Sequence, residues 1–221
     1  MAMSALTFAD RTEAGQALAR ALEHYRHAPG ALVLALPRGG VPVAYEVART
    51  LALPMDVFVV RKIGHPQHPE YALGAVASGG VRTMNDSLQR VPAHELDAVV
   101  ERELQELSRR ERRYRGERPL PSLAGRTVIV VDDGLATGAS MRAAAQAIRA
   151  QGPARLVLAV PVGAPDACEA LRALADEVVC PLQPEPFEAV GRWYLDFEQV
   201  EDEQVQALME RALQQTEGAQ T

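Results

Sequence analysis

The chain has 221 residues, 48% of them apolar and 24% charged, with a formal net charge of −6. That length suits one substantial domain, and the acid excess argues against a nucleic-acid binder relying on a strong overall positive field. Its two cysteines, Cys168 and Cys180, show no CxxC or Cys/His spacing, so neither a disulfide scaffold nor a zinc site is indicated.

The leading residues, MAMSALTFADR, lack a basic segment followed by a long apolar one. No apolar run reaches the roughly 18 residues needed to span a bilayer, so a cytoplasmic protein without a membrane partner is expected. Residues 12–26 place Ala14, Leu18, Leu22 and Tyr25 on one helical face, with Asp10 and Glu13 spaced as a capping pair. Pro29-Gly30 breaks the chain, and ALVLAL at 31–36 reads as a buried strand ended by Pro37-Arg38-Gly39-Gly40. A helix follows to about Leu51. The run 55–60, MDVFVV, predicts a second buried strand ended by Arg61-Lys62, and the Gly-, His- and Pro-rich residues 63–70 predict irregular structure.

Residues 71–77 and 81–84, separated by Ser78-Gly79-Gly80, predict a hairpin. A long amphipathic helix is expected over 93–114, with Leu96, Val99, Val100, Leu104 and Leu107 inward. TVIVV at 127–131 is the third buried strand, followed by DDGLATGAS and an alanine-rich helix that stops at Gly152-Pro153. Strand 155–160, helix 165–175, strand 177–180, the proline-rich PLQPEPF and a helix over 202–213 complete the chain, with a frayed tail at 214–221. Apolar strands alternating with helices predict an α/β fold with a parallel sheet covered on both faces, whose ligands gather beyond the strands' carboxyl ends.

Three chemically loaded segments fall at such ends: Arg38-Gly39-Gly40, Arg61-Lys62 and Asp132 through Ser140. In the last, two carboxylates precede Thr137-Gly138-Ala139-Ser140 opening a helix, whose unpaired N–H groups and dipole favour an anion. Acids beside a phosphate repel it unless they address hydroxyls or a metal, a demand that a phosphorylated sugar meets. The bland alternative is a turn with a capped helix, which suits Asp-Asp-Gly alone better than the whole string.

VIVVDDGLATGAS, Val128 to Ser140, closely resembles the 5-phosphoribosyl 1-pyrophosphate (PRPP) motif of type I phosphoribosyltransferases. Residues from about 30 to 200 are similar to bacterial members of that family whose acceptor is unassigned. The resemblance implies a single Rossmann-like domain over 1–221, a mobile loop after Val60 and a small hood at about 181–200. It implies that Asp132 and Asp133 contact the ribose hydroxyls, and that Ala136, Thr137, Gly138, Ala139 and Ser140 cradle the 5-phosphate. LPRGG resembles the family's pyrophosphate loop, with Arg38, Gly39 and Gly40 as its members and Pro37–Arg38 as the candidate cis bond. Arg61 and Lys62 match an Arg-Lys pair that would meet the leaving pyrophosphate.

Within VRKIGHPQHPEYALGAV, His65 and His68 are assigned to loop solvation or substrate contact, and Glu70 and Tyr71 to anchoring the loop. In the hood, Phe187, Val190 and Trp193 are candidates to face a base, with a small core around Trp193 as the equal alternative. Asp196 matches an aspartate near the magnesium–pyrophosphate end. Ala136 stands where hypoxanthine-type members carry an aspartate, so a hypoxanthine or guanine acceptor is not implied. The arginines from Arg109 to Arg118 read as a solvated, Glu-paired helix end. The implied activity is magnesium-dependent transfer of the phosphoribosyl group to a nitrogenous base, with a homodimer plausible; a non-catalytic PRPP sensor on the same fold is the alternative.

Overall fold

The computed structural model describes residues 7–68, 71–84 and 91–218. Its main sheet has five parallel strands in the order β2-β1-β6-β7-β8: β1 (Leu32–Ala35), β2 (Met55–Val57), β6 (Thr127–Val131), β7 (Arg155–Ala159) and β8 (Glu177–Val179). Burial follows a period of two, because successive side chains of a strand leave on opposite faces. Val33, Ala35, Ile129, Val131, Val157 and Ala159 pack on one side. Leu32, Leu34, Val128, Val130, Leu156 and Leu158 pack on the other.

The first face is covered by α1 (Arg11–Ala21), α2 (Gly40–Leu51) and α6 (Asp202–Gly218), the second by α4 (Ala139–Arg149) and α5 (Pro165–Leu171). Asp10 caps α1 by accepting the Glu13 N–H at 2.8 Å, and the Glu13 carboxylate accepts the Ala9 N–H in return. Helix α6 continues to Gly218, beyond the point at Gln214 where fraying was expected.

The run 55–60 is not one strand. Phe58 and Val59 turn the chain out of the main sheet into β3 (Val60–Gly64), which pairs antiparallel with β4 (Ala72–Ala77), itself paired with β5 (Val81–Met84). Buried Ser78 holds this corner: its N–H donates to Val59 O and its Oγ accepts the Val59 N–H, both at 2.9 Å. Phe58 and Val59 are buried in different clusters, so the apolar run stays unbroken in sequence across the corner. Consequently Arg61 and Lys62 lie inside β3, and Ile63-Gly64 belong to a strand rather than to irregular chain.

Helix α3 (Ala93–Arg115) packs Val99, Val100 and Leu107 into the core, but Leu104 is 39% exposed. Its last residue, Arg115, departs from the solvated arginine face: it is 5% exposed and lies 3.0 Å from buried Asp56, and it donates to Val57 O at 2.6 Å. Arg109 and Arg110 pair with Glu106, and Arg113 with Asp202 and Glu203, as a surface pattern would have them. Among the described residues no helix is long and apolar enough to cross a membrane.

Candidate active site

β1 and β6 are neighbours in register, Ala35 opposite Val131, and the Leu36 N–H donates to Val131 O at 2.9 Å. The two segments that leave their carboxyl ends are therefore laid side by side. A Cβ on Gly39 would stand 2.1 Å from Asp133 Oδ2, and one on Gly40 2.7 Å from Val131 O. Gly40 is required by this backbone approach, whereas a side chain at Gly39 would have to displace the Asp133 carboxylate. The Pro37–Arg38 bond is cis, as is Glu185–Pro186.

An open cleft of about 390 Å³ lies here, lined by Arg38, Gly39, Asp132, Asp133, Arg11 and Phe197 among others. Burial pushes the Asp132 carboxyl well above the usual range, and the neighbouring Asp133 charge adds to this. Burial raises Asp133 too, and Arg11 opposes it by charge and hydrogen bond. The Arg11 guanidinium reaches Asp133 Oδ2 at 2.9 Å through both Nε and Nη2, donates to Glu198 O at 2.8 Å and sits 4.0 Å over the Phe197 ring. Tyr194 donates its hydroxyl to Asp133 O at 2.6 Å.

Gly138, with φ +73°, starts α4 without a side-chain cap, and Thr137 Oγ1 accepts the Ala139 N–H at 3.4 Å. Thr137, Ala139 and Ser140 share a second cavity of about 260 Å³ with Lys62, Thr83 and Arg142. Cations, hydroxyls and a helix N-terminus together form a setting for an anion.

A phosphoribosyl transferase domain model matches residues 10–197. The chain belongs to the phosphoribosyl transferase family. Two curated relatives from Mycobacterium tuberculosis, strains CDC 1551 and H37Rv, carry provisional phosphoribosyl transferase names and are 47% identical over 93% of this chain. The match covers 47% of their length, so the chain spans about half of those relatives. The crystal structure of TT1426 from Thermus thermophilus is 47% identical, with a TM-score of 0.80 over 92% of this chain and 97% of that one. The phosphoribosyl transferase match runs from the cap of α1 to Phe197, and so takes in Arg11 and the aromatic residues around it.

The fold assembles some of the expected site residues and separates others. Asp132, Asp133, Arg38 and Gly39 line one cleft, and Gly40 backs onto the Asp132 backbone. Arg38 also reaches Glu201 at 3.3 Å and Asp202 at 3.7 Å at the start of α6. The Arg61-Lys62 pair is split, because adjacent strand residues point to opposite faces. Arg61 turns to buried Glu103 on α3 at 2.7 Å, while Lys62 lines the α4 cavity.

Ala136 links Leu135 to Thr137, and Leu135 is held by backbone bonds to Val162 and Ala164. Phe187, Val190 and Trp193 pack around Ala14, Val162 and Tyr194, with the Phe187 and Trp193 rings stacked at 6.4 Å. A Cβ on Gly134 would meet Val190 at 2.4 Å, so Val190 closes over the acidic loop. The Asp196 carboxylate is exposed and accepts the Glu198 N–H at 3.1 Å. His65 and His68 form a local turn, with the Gln67 N–H on His65 Nδ1, and Tyr71 is 54% exposed; Glu70 lies outside the described residues.

Arg11 and Tyr194 were missed by sequence reasoning. Arg11 is 122 residues from Asp133, and no local spacing announces that pairing.

Proposed function

We propose that the cleft binds PRPP and that the protein transfers its 5-phosphoribosyl group to a nitrogenous base, releasing pyrophosphate. The observation that carries this reading is the contact of the Gly39-Gly40 loop with the Asp132-Asp133 pair in one cleft. Family membership supports the same chemistry.

In this reading Asp132 and Asp133 accept hydrogen bonds from the ribose hydroxyls and stabilise positive charge developing on the ring. They must be ionised to do so; burial raises the Asp133 pKa, and Arg11 opposes that rise by charge and hydrogen bond. The backbone of Gly39 and Gly40 approaches the pyrophosphate closely because neither residue carries a Cβ. Thr137, Ser140 and the α4 N-terminus hold the 5-phosphate, and Lys62 adds positive charge to that cavity. Much of the barrier is lowered by holding the reactants in place.

Among the described residues no three His, Cys, Asp or Glu side chains gather to hold an ion. Asp132 and Asp133 are the carboxylates of the cleft that would face magnesium entering with the substrate. Bound there, the ion supplies charge neutralisation at the pyrophosphate.

Calorimetric titration with PRPP, with and without magnesium, tests the site. Magnesium-dependent binding that is lost in the Asp132→Asn/Asp133→Asn double variant supports it, and no binding at millimolar PRPP by folded wild type refutes it. One observation favours a second reading, a PRPP sensor without transfer: Arg61 and Arg38, both expected at the pyrophosphate, meet Glu103 and Glu201. Pyrophosphate release across a panel of bases separates the two, since a sensor binds PRPP and releases none.

A further inference from the structure

Cys168 lies on α5 and Cys180 just beyond β8, and Gly163 brings them together. A Cβ on Gly163 would stand 2.9 Å from Cys168 Sγ and 3.2 Å from Cys180 Sγ, so both sulfurs crowd the space that glycine leaves. The Cys180 thiol donates to Leu182 O at 3.3 Å. Cys168 is 1% exposed, whereas Cys180 is partly exposed and gives a small oxidant its approach.

Gly163 is also part of the support beneath the Asp132–Ser140 segment. It bridges to Leu135, the Leu135 N–H donates to Val162 O at 3.0 Å, and the Ala164 N–H donates to Leu135 O at 2.8 Å. Leu135 stands two residues before Thr137. A change in backbone position at Gly163 is therefore carried directly into the loop that opens α4.

We propose that Cys168 and Cys180 are a peroxide-sensitive dithiol whose closure to a disulfide loosens the Leu135–Ala139 loop. The functional meaning of that loosening rests on the phosphate-loop reading above. The neighbouring Cys180 thiol lowers the Cys168 pKa against burial, with Arg172 assisting, and in the proposal Cys168 is the attacking thiolate. Its sulfur attacks one oxygen of hydrogen peroxide and the O–O bond breaks. The departing hydroxide takes the Cys180 proton and leaves as water. The Cys180 thiolate then attacks the Cys168 sulfenic sulfur, the S–O bond breaks, and the second hydroxide leaves as water with a solvent proton. Two thiols and one peroxide give one disulfide and two waters. The bond draws the sulfurs to about 2.05 Å, and α5, the end of β8 and Gly163 between them must adjust.

The test treats the intact chain with hydrogen peroxide, maps its peptides without reduction and follows amide hydrogen exchange. The expected result is a Cys168–Cys180 linked peptide, reversed by dithiothreitol, with severalfold faster exchange at the Leu135 and Ala164 amides. Cys180→Ser should form no link and keep slow exchange under peroxide. Unlinked peptides, or a link that leaves exchange at Leu135 unchanged, overturn the proposal. Neither readout involves PRPP, so calorimetry on the reduced protein tests the binding site separately.

Discussion

Arg11 donates to Asp133 through two nitrogens, each 2.9 Å from the same carboxylate oxygen, and ties the start of α1 to the end of β6. The pair is mostly shielded, with side chains 12% and 16% exposed. Replacing Arg11 with Gln removes the charge that opposes the burial of Asp133, so the Asp133 carboxyl should titrate at higher pH. If ionised carboxylates hold the ribose, the acid limb of PRPP binding moves to higher pH in the variant. Arg11→Lys should restore part of the difference. The loss of stability should be about 1.5–3 kcal/mol, as for a hydrogen bond to a charged group. Calorimetry over a pH series checks the direction, and an unmoved acid limb would show that Arg11 does not control Asp133.

The acid pair itself should cost the fold stability. Asp132 is raised above its ordinary value by burial and by Asp133, so the folded protein holds the proton more tightly than the unfolded chain. For such a group the stability contribution is full below the unfolded carboxylate pKa, about 4. It is lost as pH rises through the raised folded value. Asp132→Asn should therefore be more stable than wild type at neutral pH, by about 0.5–2 kcal/mol, and lose that advantage near pH 4. Urea melts at the two pH values decide it. A variant less stable than wild type at neutral pH would mean that Asp132 is satisfied as a carboxylate.

The parallel sheet was legible because its strands are short apolar runs and its helices carry one apolar face, and both follow from burial alone. The strand end and helix start that bound the Asp132–Ser140 segment were legible because an apolar run gives way to acids, small residues and hydroxyls in consecutive positions. The corner at Phe58-Val59 was not, since a buried turn between two sheets keeps the apolar signal of one strand. Arg11 was hidden for a different reason: its role depends on which helix end the fold lays against β6. Leu104 fits the inward stripe of α3 by spacing, yet it borders an open groove with Arg109 and Arg112.

Arg115 and Asp56 form an ion pair that is almost closed to water, with side chains 4% and 5% exposed. Asp56 Oδ1 also accepts the Val57 N–H at 2.7 Å, so the carboxylate depends on two donors. Arg115→Met leaves it buried with one, and removing one partner of such a pair costs about 3–5 kcal/mol. The double variant Arg115→Met/Asp56→Leu should recover much of that loss, because the uncompensated charge is gone. A double-mutant cycle in urea measures the coupling. Additive losses would show that the contacts of each side chain matter more than the pair.

Arg61 and Lys62 stand next to each other in sequence and should behave differently. Arg61 reaches Glu103 at 2.7 and 3.0 Å through two nitrogens, and Glu103 is only 6% exposed. Arg61→Ala leaves that carboxylate, among the described residues, with Arg102 at 3.2 Å. It should lower stability by about 1.5–3 kcal/mol. Lys62 is exposed and shares a cavity with Thr137 and Ser140. Lys62→Ala should leave the unfolding midpoint nearly unchanged while weakening PRPP about tenfold, the size of one charged contact to a phosphate. Paired measurements of urea midpoint and PRPP affinity on both variants check this. A Lys62 variant that binds normally, beside an Arg61 variant that folds normally but fails to bind, would return the pyrophosphate contact to Arg61 and require β3 to release it from Glu103.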